Sequence, residues 1–268
     1  MNRRWELTDL EFKVLCEKHG QPRLPHPFTY TSRIRLEDDY EIAKSNARAR
    51  LARRADTDLD ELGKALDKPD VYIVAQSWVD SDFGSPADRT RMLAVRCGAR
   101  GYLISQRPGE TLSHSAGFDI TACYPEALSE VVLAGTPHAE YGRLPDIPVQ
   151  VNSSPYDGDA GFVSSSSMVS DNDEPEDDDS YRAKAFFETP ASRTGYIRVH
   201  QGRSKFGPRG RIDMGVFWRD LPGDGRYVIP MNHPAPVATG AGTEEMIKWV
   251  DEQVAFVMSR LEWNWEDE

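Results

Sequence analysis

The chain has 268 residues, 39% hydrophobic and 28% charged, with 44 acidic against 32 basic side chains and a formal net charge of -12. That length supports a buried core without disulfide or metal staples, and the acidic balance repels nucleic acid unless basic residues are segregated into a patch. Neither a signal peptide at the start nor an apolar run of about 20 residues for a membrane span is present, and Cys16, Cys97 and Cys123 form no C-x-x-C pair, so a cytoplasmic protein with reduced core thiols is expected.

Thr8-Asp-Leu-Glu11 has the form of a capping box, with Leu7 and Phe12 placed as its hydrophobic staple. A helix should run to about His19 and end at Gly20, with Phe12, Leu15 and Cys16 on its apolar side. Residues 24–32 contain Pro25 and Pro27, which rule out a central strand and suggest an extended edge segment. Helices are expected over 38–54 and 58–66. The first of these carries most of a basic cluster (Arg33, Arg35, Lys44, Arg48, Arg50, Arg53, Arg54). Glu37, Asp38, Asp39 and Glu41 stand at its start, so acids and bases oppose the macrodipole of a solvated helix rather than form an RNA site.

From residue 71 the pattern turns to strands. Residues 71–79 are β-branched and aromatic, and 91–96 with 102–106 read as a hairpin around Cys97-Gly-Ala-Arg-Gly101. A strand over 118–123 and a helix over 125–134 follow. The second half offers strands over 196–199, 212–219 and 226–231, the last two joined by Pro222-Gly-Asp-Gly225, and a closing helix over 243–262. Each half thus repeats hairpin, strand and helix. This suggests a single α+β domain of two related units, about 1–150 and 181–268, sharing one antiparallel sheet. Between them, 152–180 is rich in Ser, Gly and Asp, and Asp171-Asn-Asp-Glu-Pro-Glu-Asp-Asp-Asp179 lacks the Gly and terminal Glu of a calcium loop, so an acidic flexible loop is expected.

Residues that carry chemistry are scattered. Thr239-Gly-Ala-Gly opens the last helix as a phosphate loop would, but the third glycine is missing and Glu244 and Glu245 would repel an anion; Thr243 is instead expected to cap that helix. Six histidines (His19, His26, His114, His138, His200, His233) show no metal-ligand spacing. Ser113-His114 near Asp119 lacks the strand-to-helix turn that exposes a catalytic serine. No catalytic, cofactor-binding or metal-binding residue is therefore expected.

Apolar residues in excess of one core contact remain. In the last helix Met246, Trp249, Val250, Val254, Val257, Met258 and Leu261 make a broad stripe, with Ile247 and Phe256 outside it. In the strand over 212–219, Ile212, Met214, Val216 and Trp218 form the core face and Phe217 lies among small or polar neighbours. Met and Trp at such a boundary are residue types that bind partner helices adaptably.

Several of these stretches, in order, resemble the EspG family, the chaperones of PE and PPE proteins in the ESX (type VII) secretion systems of actinobacteria. They are Trp5-Glu-Leu-Thr-Asp-Leu-Glu-Phe-Lys-Val-Leu15, Leu24-Pro-His-Pro-Phe28, Gly195-Tyr-Ile-Arg-Val199, Val216-Phe-Trp-Arg-Asp220 and Gly225-Arg-Tyr-Val-Ile229. The resemblance implies an α+β fold with a quasi-two-fold central antiparallel sheet, flanking helices and a C-terminal helical bundle. It also implies an activity without cofactor, ATP or metal: binding the apolar helical tip of a PPE protein in its PE/PPE pair, keeping the pair soluble and passing it to the secretion machinery. Phe217, Arg219, Val228, Trp249 and Met258 are the partner-binding candidates, by position and chemistry. The oligomeric state stays open between monomer and homodimer. The rival readings are an acidic adaptor or immunity-type module that binds through 152–180, and an enzyme with a dispersed site.

Overall fold

A computed structural model of the chain describes residues 3–149, 178–204, 207 and 210–266. The first element is a strand, β1 (Arg4–Leu7), which leads directly into α1 (Asp9–Lys18). The capping box forms as its sequence requires: Thr8 Oγ1 accepts from the Glu11 N–H at 3.1 Å and Glu11 Oε2 accepts from the Thr8 N–H at 3.0 Å. Past the helix end Gly20 takes a φ of +81°, a backbone conformation open to glycine. Two more helices follow, α2 (Glu37–Arg54) and α3 (Thr57–Asp67).

Four strands then run as a meander, β2 (Val71–Trp78), β3 (Thr90–Cys97), β4 (Arg100–Pro108) and β5 (Ser115–Cys123), and a short 3₁₀ turn at Pro125–Ala127 leads into α4 (Leu128–Ala134). The second half comprises β6 (Ile147–Pro148), α5 (Asp178–Glu188), β7 (Arg193–Gln201), β8 (Asp213–Asp220), β9 (Arg226–Pro230), β10 (Val237–Gly240) and α6 (Thr243–Glu266). One ten-stranded sheet results, in the order β1-β5-β4-β3-β2-β7-β8-β9-β10-β6. Its pairings are antiparallel throughout. On either side of the central β2–β7 pair lies the same sequence: an outermost strand contributed from before the meander, a meander running outwards, and a helix after it. That is the quasi-two-fold α+β architecture.

Alternation along the strands gives the sheet two buried faces. On the first face Val74, Trp78, Leu93, Val95, Tyr102, Ile104, Phe118, Ile120, Tyr196, Phe217, Tyr227 and Ile229 pack against α1, α3 and α5. There Phe12 of α1 meets Phe118 at a centroid distance of 4.2 Å, and Phe28 meets both rings at 5.8 and 5.1 Å. On the second face Val71, Ile73, Ala75, Met92, Ala94, Ile197, Val199, Val216 and Trp218 pack beneath α4 and α6. α4 crosses β3 and β4, whereas α6 lies over β2 and β7 against α4.

Several expectations need correction. Residues 24–32 form no strand; Thr29 is instead held by side-chain and carbonyl bonds, its N–H donating to Gln106 Oε1 at 2.9 Å and its hydroxyl to the Leu112 carbonyl at 3.0 Å. Thr243 is the first helical residue of α6 rather than its cap, because the Met246 N–H donates to the Gly242 carbonyl. Gly240 belongs to β10, where a Cβ would stand 2.2 Å from the Gly142 carbonyl oxygen, so the close approach of two backbones requires glycine. Most of the 152–180 stretch lies outside the described residues, and its last three, 178–180, open α5.

Candidate functional site

The five partner-binding candidates separate onto the two faces of the sheet. Phe217 lies on the first face and is 4% exposed, in the core beside Tyr227 and Ile229. Its neighbours along the strand are small or polar, as the sequence has it, but it belongs to the same buried cluster as Phe186 and Phe187 of α5, an element not expected. Arg219 is equally buried. Its guanidinium donates to the Phe186 and Thr189 carbonyls at 2.6 and 2.8 Å and meets Asp80 at 3.1 Å. Burial pulls its pKa down while Asp80 opposes the shift. Arg219 therefore fixes α5 and the β2–β3 connection to β8, and at 4% exposure neither side chain offers surface to a partner.

Val228, Trp249 and Met258 lie on the second face, half-buried at the margin of its core together with Ile212, Met214 and Ile247. Helical spacing divides them further. Asp251 accepts from Ser129 of α4, so the flank of α6 that carries Ile247 and Met258 adjoins α4. Trp249 and Phe256, seven residues apart, lie on the other flank, towards β8 and β9. There Phe256 is 44% exposed, with the Arg260 guanidinium 5.6 Å from its ring centre. Met214 of β8 and Val228 of β9 are half-buried against the same core, Val228 opposite Trp218 and Met214 four residues away along β8. The outcome is a band of half-covered apolar side chains along α6 and over β8 and β9, beside a fully buried row of Met246, Val250, Val254, Val257 and Leu261. The sequence signalled the band through the width of the apolar stripe, but Met214 was assigned wholly to the core.

Other groups considered from the sequence are not assembled into chemistry. His114 Nδ1 pairs with Thr111 Oγ1 at 2.8 Å, while Asp119 is held by Arg107 at 2.7 Å, so Ser113, His114 and Asp119 form no relay. Among the described residues no three His, Cys, Asp or Glu side chains are placed to hold a metal ion. A polar cleft of about 480 Å³ between residues 137–143 and the β8–β9 turn holds Asp220 and Asp224. Asp220 binds Arg226, and Asp224 accepts from the Tyr227 hydroxyl and the Arg143 N–H, so both carboxylates serve the fold. Burial pushes the Cys16 thiol up to about 12 and the Cys123 thiol up to about 11, away from a reactive thiolate.

Most of the basic cluster is matched by acids. Arg50 meets Glu11 at 2.8 Å, Arg48 meets Glu17 at 3.3 Å, and Arg33 bridges Asp9 and Glu110 at 2.7 and 2.5 Å. No helix among the described residues is long and apolar enough to cross a membrane.

Comparison with known proteins adds to this geometry. The sequence pattern of the EspG family matches residues 8–239. Among solved structures, the chain resembles the Mycobacterium tuberculosis type VII secretion system chaperone EspG5, determined in complex with a PE25-PPE41 dimer. The TM-score is 0.51 at 13% identity, over 92% of this chain and 93% of that one. At this identity the likeness speaks for the fold. No curated protein sequence matches.

Proposed function

Because the chain belongs to the EspG family, we propose that it is a cytosolic chaperone of type VII secretion. It binds the apolar helical tip of a PPE protein in a PE/PPE heterodimer, keeps the pair soluble and presents it to an ESX system. The observation that carries this reading is the family match over residues 8–239 together with the shared fold, whose solved relative holds a PE/PPE pair. The half-covered band of Met214, Val228, Trp249 and Phe256 supplies the chemistry. A helical tip with apolar side chains gains by removing them from water on such a band, at roughly 25 cal/mol per Å² of apolar surface, and flexible Met beside rigid Trp tolerates variation among tips.

Met258 and Ile247, on the α4 flank, extend the same margin. The work is non-covalent masking, with no turnover, cofactor or metal. Nucleic acid is not a partner on this reading, since Lys44, Arg48, Arg50 and Arg54 of α2 are already paired with Glu17 or Glu11.

The test is co-expression with PE/PPE pairs encoded beside the gene. At least one pair that is insoluble alone should become soluble and co-purify with this chain, and Trp249→Asp should abolish the co-purification while the chain itself stays folded. If every such pair behaves identically with and without the chain, the chaperone reading is wrong.

A further inference from the structure

At the middle of the first face, Gln76 of β2 pairs in register with Arg91 of β3 on one side and Tyr196 of β7 on the other. The three side chains therefore stand in a row across adjacent strands. His26 Nε2 lies 3.1 Å from the Tyr196 hydroxyl and forms an exposed rim. Beside this row, at the end of the β2–β3 connection, the Arg89 guanidinium lies 5.0 Å from the centre of the Trp78 ring and 4.5 Å from that of Phe83, and donates to the Phe83 carbonyl at 3.0 Å. Phe83 itself is 42% exposed.

Among the described residues no acidic side chain acts on Arg89 or Arg91, although acidic residues outnumber basic ones by 44 to 32. Three other half-buried or buried arginines of the sheet each face one: Arg198 faces Asp213, Arg219 faces Asp80 and Arg226 faces Asp220. Arg89 Nε is buried with no hydrogen-bond partner. Burial pulls the Arg91 pKa down to about 10, with repulsion from Arg89 adding to it. Half-buried guanidinium groups without a counter-charge are destabilising, and a carboxylate seated between them would offset that cost.

Arg89 and Arg91 lie towards the end of the sheet where α6 begins. Arg193 donates to the Asp88 carbonyl at 3.2 Å and pairs in register with Asp220; Asp220 binds Arg226, whose Nη1 lies 3.3 Å from Met246 Sδ of α6. One partner that grips this end can therefore touch both faces.

We propose that the Arg89–Arg91 pair receives a carboxylate of the client protein, giving the client a charged anchor on the first face beside the apolar grip along α6. This rests on the chaperone reading. It makes an acidic side chain near the helical tip a condition for recognition, and charge then selects among clients whose tips are equally apolar.

The experiment is calorimetric titration of a purified PE/PPE pair into the wild-type chain, Arg91→Met and Arg89→Met, at low and high salt, with a thermal melt of each free chain. Each variant should bind about tenfold more weakly or worse at low salt. The wild-type affinity should fall with salt more steeply than either variant's, and the variants' melting temperatures should not drop, because an unpartnered charge has left a half-buried place. Equal affinity and equal salt dependence in wild type and variants overturn the anchor while leaving the chaperone reading intact. Weaker binding accompanied by a lower melting temperature in both variants also overturns it, since that marks a structural role. A wild-type chain that binds no pair sinks the chaperone reading and the anchor with it.

Discussion

Arg226 is 0% exposed, yet its guanidinium has a full set of partners. Two bonds go to Asp220 at 2.6 and 2.9 Å and one to the Pro137 carbonyl at 3.0 Å, and the Trp218 ring lies beneath it at 4.1 Å. These contacts tie β8, β9 and the segment before β6 together under the first turn of α6. Removing one member of such a pair strands the other, and Asp220 is only 8% exposed. Arg226→Met should therefore cost about 3–5 kcal/mol of stability, read as a lower urea midpoint. The double change Arg226→Met with Asp220→Leu should recover part of that loss, because no charge is then left buried alone. A double variant no more stable than the single one would show that the carboxylate is not what makes the single change costly. Nothing in the sequence separated Arg226 from an ordinary surface arginine: its partners come from residues 6 and 89 positions away.

Among the elements, α2 depends most on charge. Only Ala47 is buried on it, so apolar burial contributes little and ion pairs to α1 hold it in place. Burial alone would raise the Glu11 carboxyl, but the Arg50 guanidinium, the Thr8 N–H and Arg54 together hold it below its ordinary 4.5. A carboxylate depressed in the folded state stabilises fully above its unfolded pKa, and that stability is lost as pH falls through the folded value. Wild-type stability should therefore decline below about pH 4.5, and Glu11→Gln should show a shallower decline, measured as the urea midpoint against pH. Parallel curves for the two proteins would mean that the α1–α2 link carries no pH-dependent stability. Elements with a local signal were legible in the sequence: the capping box of α1, the opposed charges of α2, the β-branched run of β2, and the glycine at position 98, where φ is +58°. Those that depend on distant partners were not. β1 and β6 have four and two residues, β10 has four, and each exists because a neighbouring strand accepts it. α5 opens on acidic residues and gains its place only when Phe186 meets Tyr227 at 5.4 Å. For the same reason the burial of Arg219 was hidden, since α5 supplies a carbonyl and the rings against it.

At the scale of the whole molecule, the two halves meet along one seam, the eight-residue pairing of β2 with β7 from Val71–Gln201 to Trp78–Thr194. Both cores cross it. Val74 and Tyr196 belong to the core of the first face, and Ile73, Ala75, Ile197 and Val199 to that of the second. Because apolar burial on each face spans both halves, neither half can open without exposing core of the other. We therefore expect the chain to unfold as a single cooperative domain, despite the two related units about 1–150 and 181–268. Gly195 on the seam probes this directly. A Cβ there would stand 2.4 Å from the Gln76 carbonyl oxygen and 2.6 Å from Trp218 Cζ2. Backbone on one side and a fully buried ring on the other leave little room to shift, so Gly195→Ala should cost about 1–3 kcal/mol. In urea, tryptophan fluorescence and far-ultraviolet circular dichroism should fall together in one transition for both proteins, with the variant's midpoint lower by the same amount on each probe. A plateau between two transitions, with only the later one unmoved by Gly195→Ala, would mean that the halves fold separately and the seam is a docked interface. In the cooperative case, strain introduced at Gly195 must also reach α6, which lies over β2 and β7, so under the proposed chaperone function the same variant should weaken co-purification of a PE/PPE pair without any change to a residue of the apolar band.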